Sequence, residues 1–338
     1  LVVVGGGTAN NVAAAAADEG METALVEKGP LGGTCLNRGC NPSKMLIQSA
    51  NVAETVRGSE RFGIESSLDG VDFGGVVEEM DSTLSGLAEG MEESYRGKEI
   101  VTLDKDVAEF VDERTLEVGG DEVRGEKVVV AAGSRPLVPP IDGLDEVEYL
   151  TSTEALYLDE APDSIVVMGG GYIAVELGYF FEAMGTDVTM VEMMDSLVPR
   201  EDGDVAAEFT EIAADRHDVY TGHRVTAVEE TAAGHAVHAG SEDGDELTIE
   251  GEAVLVALGR RPNTDTLNLG VKDIETDENG FIETNEYLET TAENVWAQGD
   301  IAGNAMFKHA GDYETDHTVA NVVDGERLPD PVRGVVLV

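Results

Sequence analysis

Basic side chains are scarce. The chain of 338 residues carries 21 Lys and Arg against 69 Asp and Glu, a formal net charge of −48 at pH 7. A field of that sign repels phosphate backbones and anionic membrane surfaces at long range, so neither nucleic acid nor a membrane is an expected partner. Cysteine is scarcer still, with only Cys35 and Cys40. A secreted disulfide framework needs more, and a zinc site needs about four ligands, so no metal centre is expected. No apolar run approaches the roughly 18 residues of a bilayer span, and no signal-peptide pattern precedes the first strand. These exclusions point to a cytoplasmic protein of two or three domains at about 100 to 200 residues each.

The acidic excess is spread over ordinary folded-protein patterning and not gathered in one tail, so disorder does not explain it. A surface adapted to very high salt does, because at molar ionic strength the Debye length falls to about 3 Å and self-repulsion is screened. Leu1 stands inside a strand with no initiator Met, and Pro329-Asp330-Pro331 and Val335 to Val338 finish no element. The expectation is an excerpt of a longer chain.

Glycine, by contrast, is abundant at 40 residues, much of it clustered after apolar strands. Val2 to Val4, the glycines Gly5 and Gly7, the alanine-rich Val12 to Ala17 and then Thr23 to Glu27 predict strand, tight turn, helix and strand. That is a βαβ unit of the dinucleotide-binding kind. The pattern returns at Ile165 to Met168, Gly169-Gly170-Gly171, a helix through Ala183, and Asp187 to Glu192. Between the copies lie an amphipathic helix, Val76 to Arg96, and short strands at Val107 to Val111, Thr115 to Val118 and Lys127 to Ala132, which predict a β-meander. Turn-rich crossings at Gly133 to Pro140 and Gly259 to Asn263 bound the second copy.

In such a turn the first glycine makes the bend, the second admits a pyrophosphate, and a third small residue lets helix and strand pack. The helix start then offers unpaired N–H groups to the phosphates. Gly5 and Gly7 fit, with Asn10 in the third position; Gly169, Gly171 and Ala174 form the second set. Glu27 and Glu192 end the following strands, where a carboxylate accepts a ribose hydroxyl.

The sharpest signal is Gly32 to Lys44, which holds both cysteines. On a regular helix residues five apart have Cα atoms about 8.6 Å from each other, beyond the roughly 6.8 Å limit of a disulfide, so a bridge would need a broken helix. Gly39 and Pro42 supply a break, with Asn41 expected to cap the helix that restarts. A helix start and a nearby Lys stabilise a thiolate at Cys40. The plain alternative is a pair of inert buried thiols.

These motifs, with Ala131-Ala132-Gly133-Ser134-Arg135-Pro136, Ala257-Leu258-Gly259-Arg260-Arg261-Pro262-Asn263 and Val295-Trp296-Ala297-Gln298-Gly299-Asp300, resemble the FAD-dependent pyridine nucleotide-disulfide oxidoreductases. That family includes glutathione reductase, dihydrolipoyl dehydrogenase, mycothione reductase and mercuric reductase, and the resemblance runs along essentially the whole chain. It implies an α/β fold of two Rossmann-like domains with a β-meander. The implied domains are an FAD-binding domain over 1–150, an NAD(P)-binding domain over 151–265, a return to the central domain over 266–325, and the start of an interface domain over 326–338.

The resemblance also implies roles. FAD would lie on Gly5, Gly7, Asn10, Glu27, Lys28, Gly33, Thr34, Gly133 and Asp300, with Asp300 near the ribityl chain. NADH or NADPH would lie on Gly169, Gly171, Tyr172, Ala174, Glu192, Arg200, Gly259 and Arg260. Cys35 would attack the substrate, Cys40 would face the flavin and pair with Cys35, and Lys44 with Glu176 would sit by the reactive flavin nitrogen. The family's proton donor, a His-Glu pair from the partner subunit of a homodimer, belongs to a C-terminal interface domain expected to be absent from this chain. His235 and His238 do not replace it and are expected at the surface.

Asn10, the stretch Phe307-Lys308-His309-Ala310, and Tyr172, which matches an aromatic gate over the nicotinamide, depart from the dihydrolipoyl dehydrogenase pattern. With the acidic surface they resemble the bis-γ-glutamylcystine reductase branch, whose substrate is a small disulfide; dihydrolipoyl dehydrogenase, mercuric reductase and a non-catalytic flavin-binding scaffold are the alternatives. From the charge alone, the melting temperature is expected to climb steeply from low salt to multimolar KCl in a thermal scan. A flat curve would remove the high-salt reading.

Overall fold

The computed structural model describes residues 1–271 and 273–330. Pro331 and Val335 to Val338, which were expected to open a further domain, lie outside the described residues. In chain order the elements begin with β1 (Val2–Val4), α1 (Asn10–Asp18), β2 (Thr23–Val26), α2 (Gly33–Arg38), α3 (Cys40–Arg57) and α4 (Phe73–Arg96). Next come β3 (Val101–Asp104), β4 (Ala108–Asp112), β5 (Thr115–Val118), β6 (Asp121–Arg124) and β7 (Val128–Val130). After a short crossing strand, β8 (Ser134–Pro136), follow β9 (Leu150–Thr151), α5 (Ser152–Ala155), β10 (Ser164–Met168), α6 (Tyr172–Met184), β11 (Asp187–Val191) and α7 (Gly203–Ala214). Then come β12 (Asp218–Tyr220), β13 (His223–Thr231), β14 (Gly234–Ser241), β15 (Glu246–Gly251), β16 (Ala253–Val256) and the second crossing strand, β17 (Arg260–Pro262). The last are β18 (Val295–Ala297) and α8 (Lys308–Val319).

Packing divides the described residues into two compact units, one within 1–40, 83–135 and 260–330, the other within 41–82 and 136–259. This partition differs from the contiguous 1–150 block that the sequence suggests. Side chains explain why 41–82 joins the second unit. Arg216 reaches Glu54 and Glu182, Arg57 donates to the Ala183 carbonyl at 2.7 Å, and Tyr179 Oη donates to Asn51 at 2.8 Å. Phe73 packs on Phe180 and Phe181, with ring centroids 5.5 and 6.3 Å apart.

The first unit is built on a five-stranded parallel sheet in the order β18-β7-β1-β2-β3. Its central strands are apolar along their whole length because both faces are covered. Val3, Leu25 and Val129 point to the α1 side, where Ala9, Val12, Ala13 and Tyr95 pack. Val2, Val4, Val128 and Val130 point to the other side, against Phe110 and Leu116 of the antiparallel meander β4-β5-β6. One expected strand lies elsewhere in the fold. Lys127 to Ala132 does not close the meander; its core, Val128–Val130, lies between β1 and β18 in the parallel sheet. The third meander strand is Asp121–Arg124, whose side chains are mostly exposed, so no apolar alternation announces it.

The second unit repeats the plan. Its parallel sheet runs β12-β11-β10-β16-β9, and a second antiparallel meander, β13-β14-β15, packs Val228, Val237 and Ala239 on Val166, Met168 and Val254. In each unit the chain adds a third strand, β3 or β12, beside the second, then builds a meander and returns beside the first strand on its free side. His235 and His238 sit on β14, each partly exposed, in keeping with the expected surface position. Their Nδ1 atoms bond the Glu252 carbonyl at 3.0 Å and Thr248 Oγ1 at 3.1 Å.

Candidate active site

Each parallel sheet carries a glycine turn at the carboxyl end of its first strand, and the two turns are built alike. Gly5 and Gly169 have φ of +111° and +113°, and a Cβ there would lie 2.1 Å from the Ala131 carbonyl and 2.5 Å from the Ala257 carbonyl. Only glycine fits. The strand-end acids bond the turns themselves. Glu27 accepts the Gly6 N–H at 2.6 Å and the Gly29 N–H at 2.7 Å. Glu192 accepts the Gly170 N–H at 2.6 Å and the Met194 N–H at 2.8 Å. Each carboxylate therefore pins the middle glycine of its turn, and its remaining lone pairs stay open to a ribose hydroxyl.

The turns also fit the phosphates of a dinucleotide. Neither α1 nor α6 has a side-chain cap at its start, and in α1 the N–H groups of Asn10, Asn11 and Val12 bond the carbonyls of Gly7, Thr8 and Ala9, which carries its first turn back to the glycines. A cleft beside the first turn is lined by Gly5, Glu27, Lys28, Asp106, Ala132 and Asn263, at the carboxyl ends of β1 and β2, where such sheets bind ligands. Lys28 is exposed at this cleft. Asn10 is buried; its Nδ2 donates to the Gly6 carbonyl at 3.4 Å, and its own carbonyl accepts the Tyr95 hydroxyl at 2.6 Å. Burial pushes the Tyr95 phenol up to about 12. Ala174, the third residue of the second set, is fully buried under its sheet.

The cysteine segment packs directly on the first turn. Gly33, at φ +61°, leaves no room for a Cβ, which would meet Gly7 Cα at 2.6 Å, and the Gly32 N–H donates to the Gly6 carbonyl at 2.8 Å. Thr34 and Cys35 come next in α2, both half-buried. The helix breaks at Gly39, whose φ of −149° and ψ of −119° leave the α region. It restarts two residues earlier than expected: Cys40, exposed, opens α3, and Asn41 and Pro42 fall inside its first turn and do not cap it. Proline is tolerated there because first-turn N–H groups have no intrahelical partner. Further along α3, Lys44 pairs with Glu176 of α6, and Ser43 Oγ donates to the same carboxylate at 3.1 Å.

On the return into the first unit, Asp300 stands in the turn after β18. Its carboxylate accepts the Ser134 hydroxyl and lies 3.7 Å from Arg260 Nε, while Arg260 bonds Ser134 Oγ and the Ser134 carbonyl, both at 2.8 Å. Burial lowers the Arg260 guanidinium from its usual range, with Asp300 opposing; Arg38 and Cys40 act on it as well. Arg260, expected from sequence at the nicotinamide site, thus belongs with Asp300. Ser134, which the sequence pattern does not mark as a site residue, joins them. Gly133 supports this corner at φ +68°, its carbonyl accepting the Asn263 N–H at 3.1 Å. In the second unit Gly259, at φ +117°, accepts from the Leu137 N–H at 2.9 Å, Arg200 is exposed, and Tyr172 Oη donates to Glu201 at 2.6 Å. Glu201 raises the Tyr172 phenol above its ordinary value.

Known proteins share this architecture. The pyridine nucleotide-disulphide oxidoreductase family matches residues 1–321. The chain belongs to that family. It is 39% identical over 318 residues to dihydrolipoyl dehydrogenase 2 of Haloarcula marismortui, covering 91% of this chain and 67% of that protein. It is 34% identical over 319 residues to the mercuric reductase of Staphylococcus aureus, covering 93% of this chain and 57% of the relative, so it spans little more than half of that protein's length. The solved HOCl-induced flavoprotein disulfide reductase RclA from Escherichia coli superposes with a TM-score of 0.86 at 28% identity, covering 97% of this chain and 72% of that one. Among the described residues no helix is long and apolar enough to cross a membrane, and no His, Cys, Asp and Glu cluster could hold a metal ion.

Because Glu192 holds two backbone N–H groups, Glu192→Gln replaces one acceptor by a donor facing a donor. We expect it to lose about 1 to 3 kcal/mol of stability in denaturant titrations without any nucleotide present. An unchanged midpoint would mean that the acid does not pin the turn.

Proposed function

We propose that this chain is the nucleotide-binding and redox part of a flavoprotein disulfide reductase that takes electrons from NAD(P)H and acts on a low-molecular-weight disulfide such as bis-γ-glutamylcystine. The observation that carries the reading is the seating of the Cys35–Cys40 segment on the first glycine turn through Gly33 and Gly7. The relatives that share this frame are named as a mercuric reductase, a dihydrolipoyl dehydrogenase and a flavoprotein disulfide reductase. The first turn, with Glu27, Lys28, Thr34 and the Ser134–Asp300–Arg260 corner, would hold FAD, which when bound supplies hydride acceptance and two-electron delivery to a disulfide. The second turn, with Tyr172, Glu192 and Arg200, would hold the nicotinamide nucleotide, and Lys44 with Glu176 would orient the reacting rings.

The thiol chemistry then rests on the two cysteines. Once the Cys35–Cys40 bridge has been reduced, the Cys35 thiolate attacks one sulfur of the substrate disulfide and the other leaves as a thiolate. Cys40, at the start of α3, attacks the Cys35 sulfur as its thiolate, releases the second substrate thiolate and restores the bridge. Two substrate thiols form, and each leaving thiolate takes one proton. The acidic composition favours a cytoplasmic enzyme of high-salt surroundings, and the family resemblance favours a homodimer in the full-length protein.

Dihydrolipoamide is the second substrate reading, favoured by the identity to the haloarchaeal dihydrolipoyl dehydrogenase. Side-by-side turnover of the full-length enzyme with bis-γ-glutamylcystine disulfide, lipoamide and Hg(II) separates these readings from the mercuric one. In the FAD-loaded protein, Cys35→Ser should keep a long-wavelength thiolate-to-flavin band on reduction and Cys40→Ser should abolish it. Wild-type disulfide turnover in both variants would sink the relay, and absence of any flavin response to NADH or NADPH would favour the scaffold.

Nicotinamide choice rests on Glu192. Its carboxylate cannot swing aside without releasing two N–H groups, so it stays as a close like charge to any 2′-phosphate, while Arg200 is a single exposed cation. By the family resemblance, Arg200 would match one of the two phosphate-binding arginines of glutathione reductase and Met194 would stand at the position of the other. NADH should therefore bleach the flavin at lower concentration than NADPH in anaerobic mixing at high salt. A preference for NADPH of about tenfold, near 1.4 kcal/mol, overturns the assignment.

A further inference from the structure

We propose that Glu314 is a positioning residue of the flavin site, a buried carboxyl that sets the Gly299–Asp300 turn and takes up a proton when FAD binds. This rests on the reading of the first unit as the FAD site. Glu314 lies on α8 with no exposed surface. One carboxyl oxygen accepts the Gly299 N–H and the other accepts Asn304 Nδ2 at 3.1 Å, so the side chain grips the turn from behind while Ser134 and Arg260 hold Asp300 from the front.

The same corner is tied to the first glycine turn. Gln298, fully buried and one residue before Gly299, donates to Thr315 at 2.7 Å and approaches Thr8 Oγ1 at 3.5 Å, and Gly311 of α8 sits against Thr8. Glu314 thus stands behind both the ribityl-facing carboxylate and the turn that would carry the pyrophosphate.

Electrically it is isolated among like charges. The charges acting on it are Asp330, from the segment after α8, and Asp300, from the turn in front; among the described residues no cation pairs with it, and its two partners are neutral donors. Burial, with those two carboxylates adding to it, pushes the Glu314 carboxyl up to about 7. A bound pyrophosphate adds negative charge to the same unit, which favours the neutral carboxylic acid further. Below neutrality Glu314 is already protonated and FAD binds without proton exchange. As the pH rises through about 7, binding must return a proton to Glu314 or accept the repulsion, so affinity falls.

The test is FAD affinity of the full chain, read by quenching of flavin fluorescence at fixed multimolar KCl, where exposed charges are screened and buried ones much less. For the wild type, Kd should rise roughly five- to tenfold from pH 6 to pH 8.5, a change of up to about one pKa unit in proton affinity. Glu314→Gln mimics the neutral acid, because its oxygen can keep the Gly299 N–H while the Asn304 amide turns over to accept from its NH2, and it should hold the low-pH affinity across the range. Glu314→Asp, too short to reach Gly299, should bind FAD more weakly at every pH. The wild type alone gives an independent measure: calorimetry of FAD binding near pH 7 in two buffers of different ionisation enthalpy should show net proton uptake. Zero uptake, a flat wild-type profile, or a slope that persists in Glu314→Gln each overturns the proposal while leaving the FAD site standing. Failure of the wild type to bind FAD at any pH overturns both.

Discussion

A carboxylate holding the amide of the middle glycine is the contact on which both sites depend. Glu27 and Glu192 each leave the sheet at the end of its second strand and reach back to the turn after the first. Three further constraints repeat around that bond. The first glycine fits against a carbonyl at the end of the return strand, a leucine, Leu31 or Leu197, closes over the middle glycine, and the middle carbonyl receives an N–H from Gly32 or Val198. These contacts fix where the chain emerges from each frame. In the first unit the residues that emerge are Gly33, Thr34 and Cys35; in the second they are Pro199, Arg200 and Glu201. One frame therefore presents a thiol and the other a charged pair at equivalent positions. On the proposed reading, a redox site and a nucleotide-selecting site would be built on the same hydrogen bond and differ in the three residues that leave it.

Much of this is legible in the sequence because the frame demands residues that cannot be exchanged. Strands buried on both faces must be apolar throughout, so β1 and β10 stand out, and turns at positive φ under a carbonyl must be glycine. Elements held by partners distant in sequence are not legible. β6 is polar and exposed and is a strand only because β5 lies beside it. Residues 41–82 join the second unit through Arg216, Tyr179 and Phe73, none of which marks a boundary in the sequence.

The site shows the same division. The cysteines, glycines and strand-end acids announce themselves by spacing. Ser134 does not, because a serine between glycine and arginine carries no pattern, and Arg260 reads with the wrong neighbours because its partner, Asp300, lies 40 residues on. Glu314 is hidden for a different reason. It sits in the stretch Asp312 to Asp316 of a polar helix, surrounded by acids that do face water, and only α8's packing on the turn distinguishes it.

The acidic composition bears on how the buried acids are stabilised. With 21 basic residues against 69 acids, most carboxylates have no cation to meet. Glu27, Glu192 and Glu314 bond backbone N–H groups, and Asp300 adds a hydroxyl to its single guanidinium. At molar salt an exposed ion pair such as Lys308–Asp312 is screened and contributes little. A hydrogen bond from a fixed amide to a buried carboxylate does not depend on a mobile counter-charge and is shielded from ions by the surrounding chain. A fold that must keep its glycine turns in register at any salt concentration is thus better held by amide donors than by lysines, and the few arginines are left for the places where two elements have to be bridged at once, as Arg216 does between Glu54 and Glu182 and Arg260 between Ser134 and Asp300.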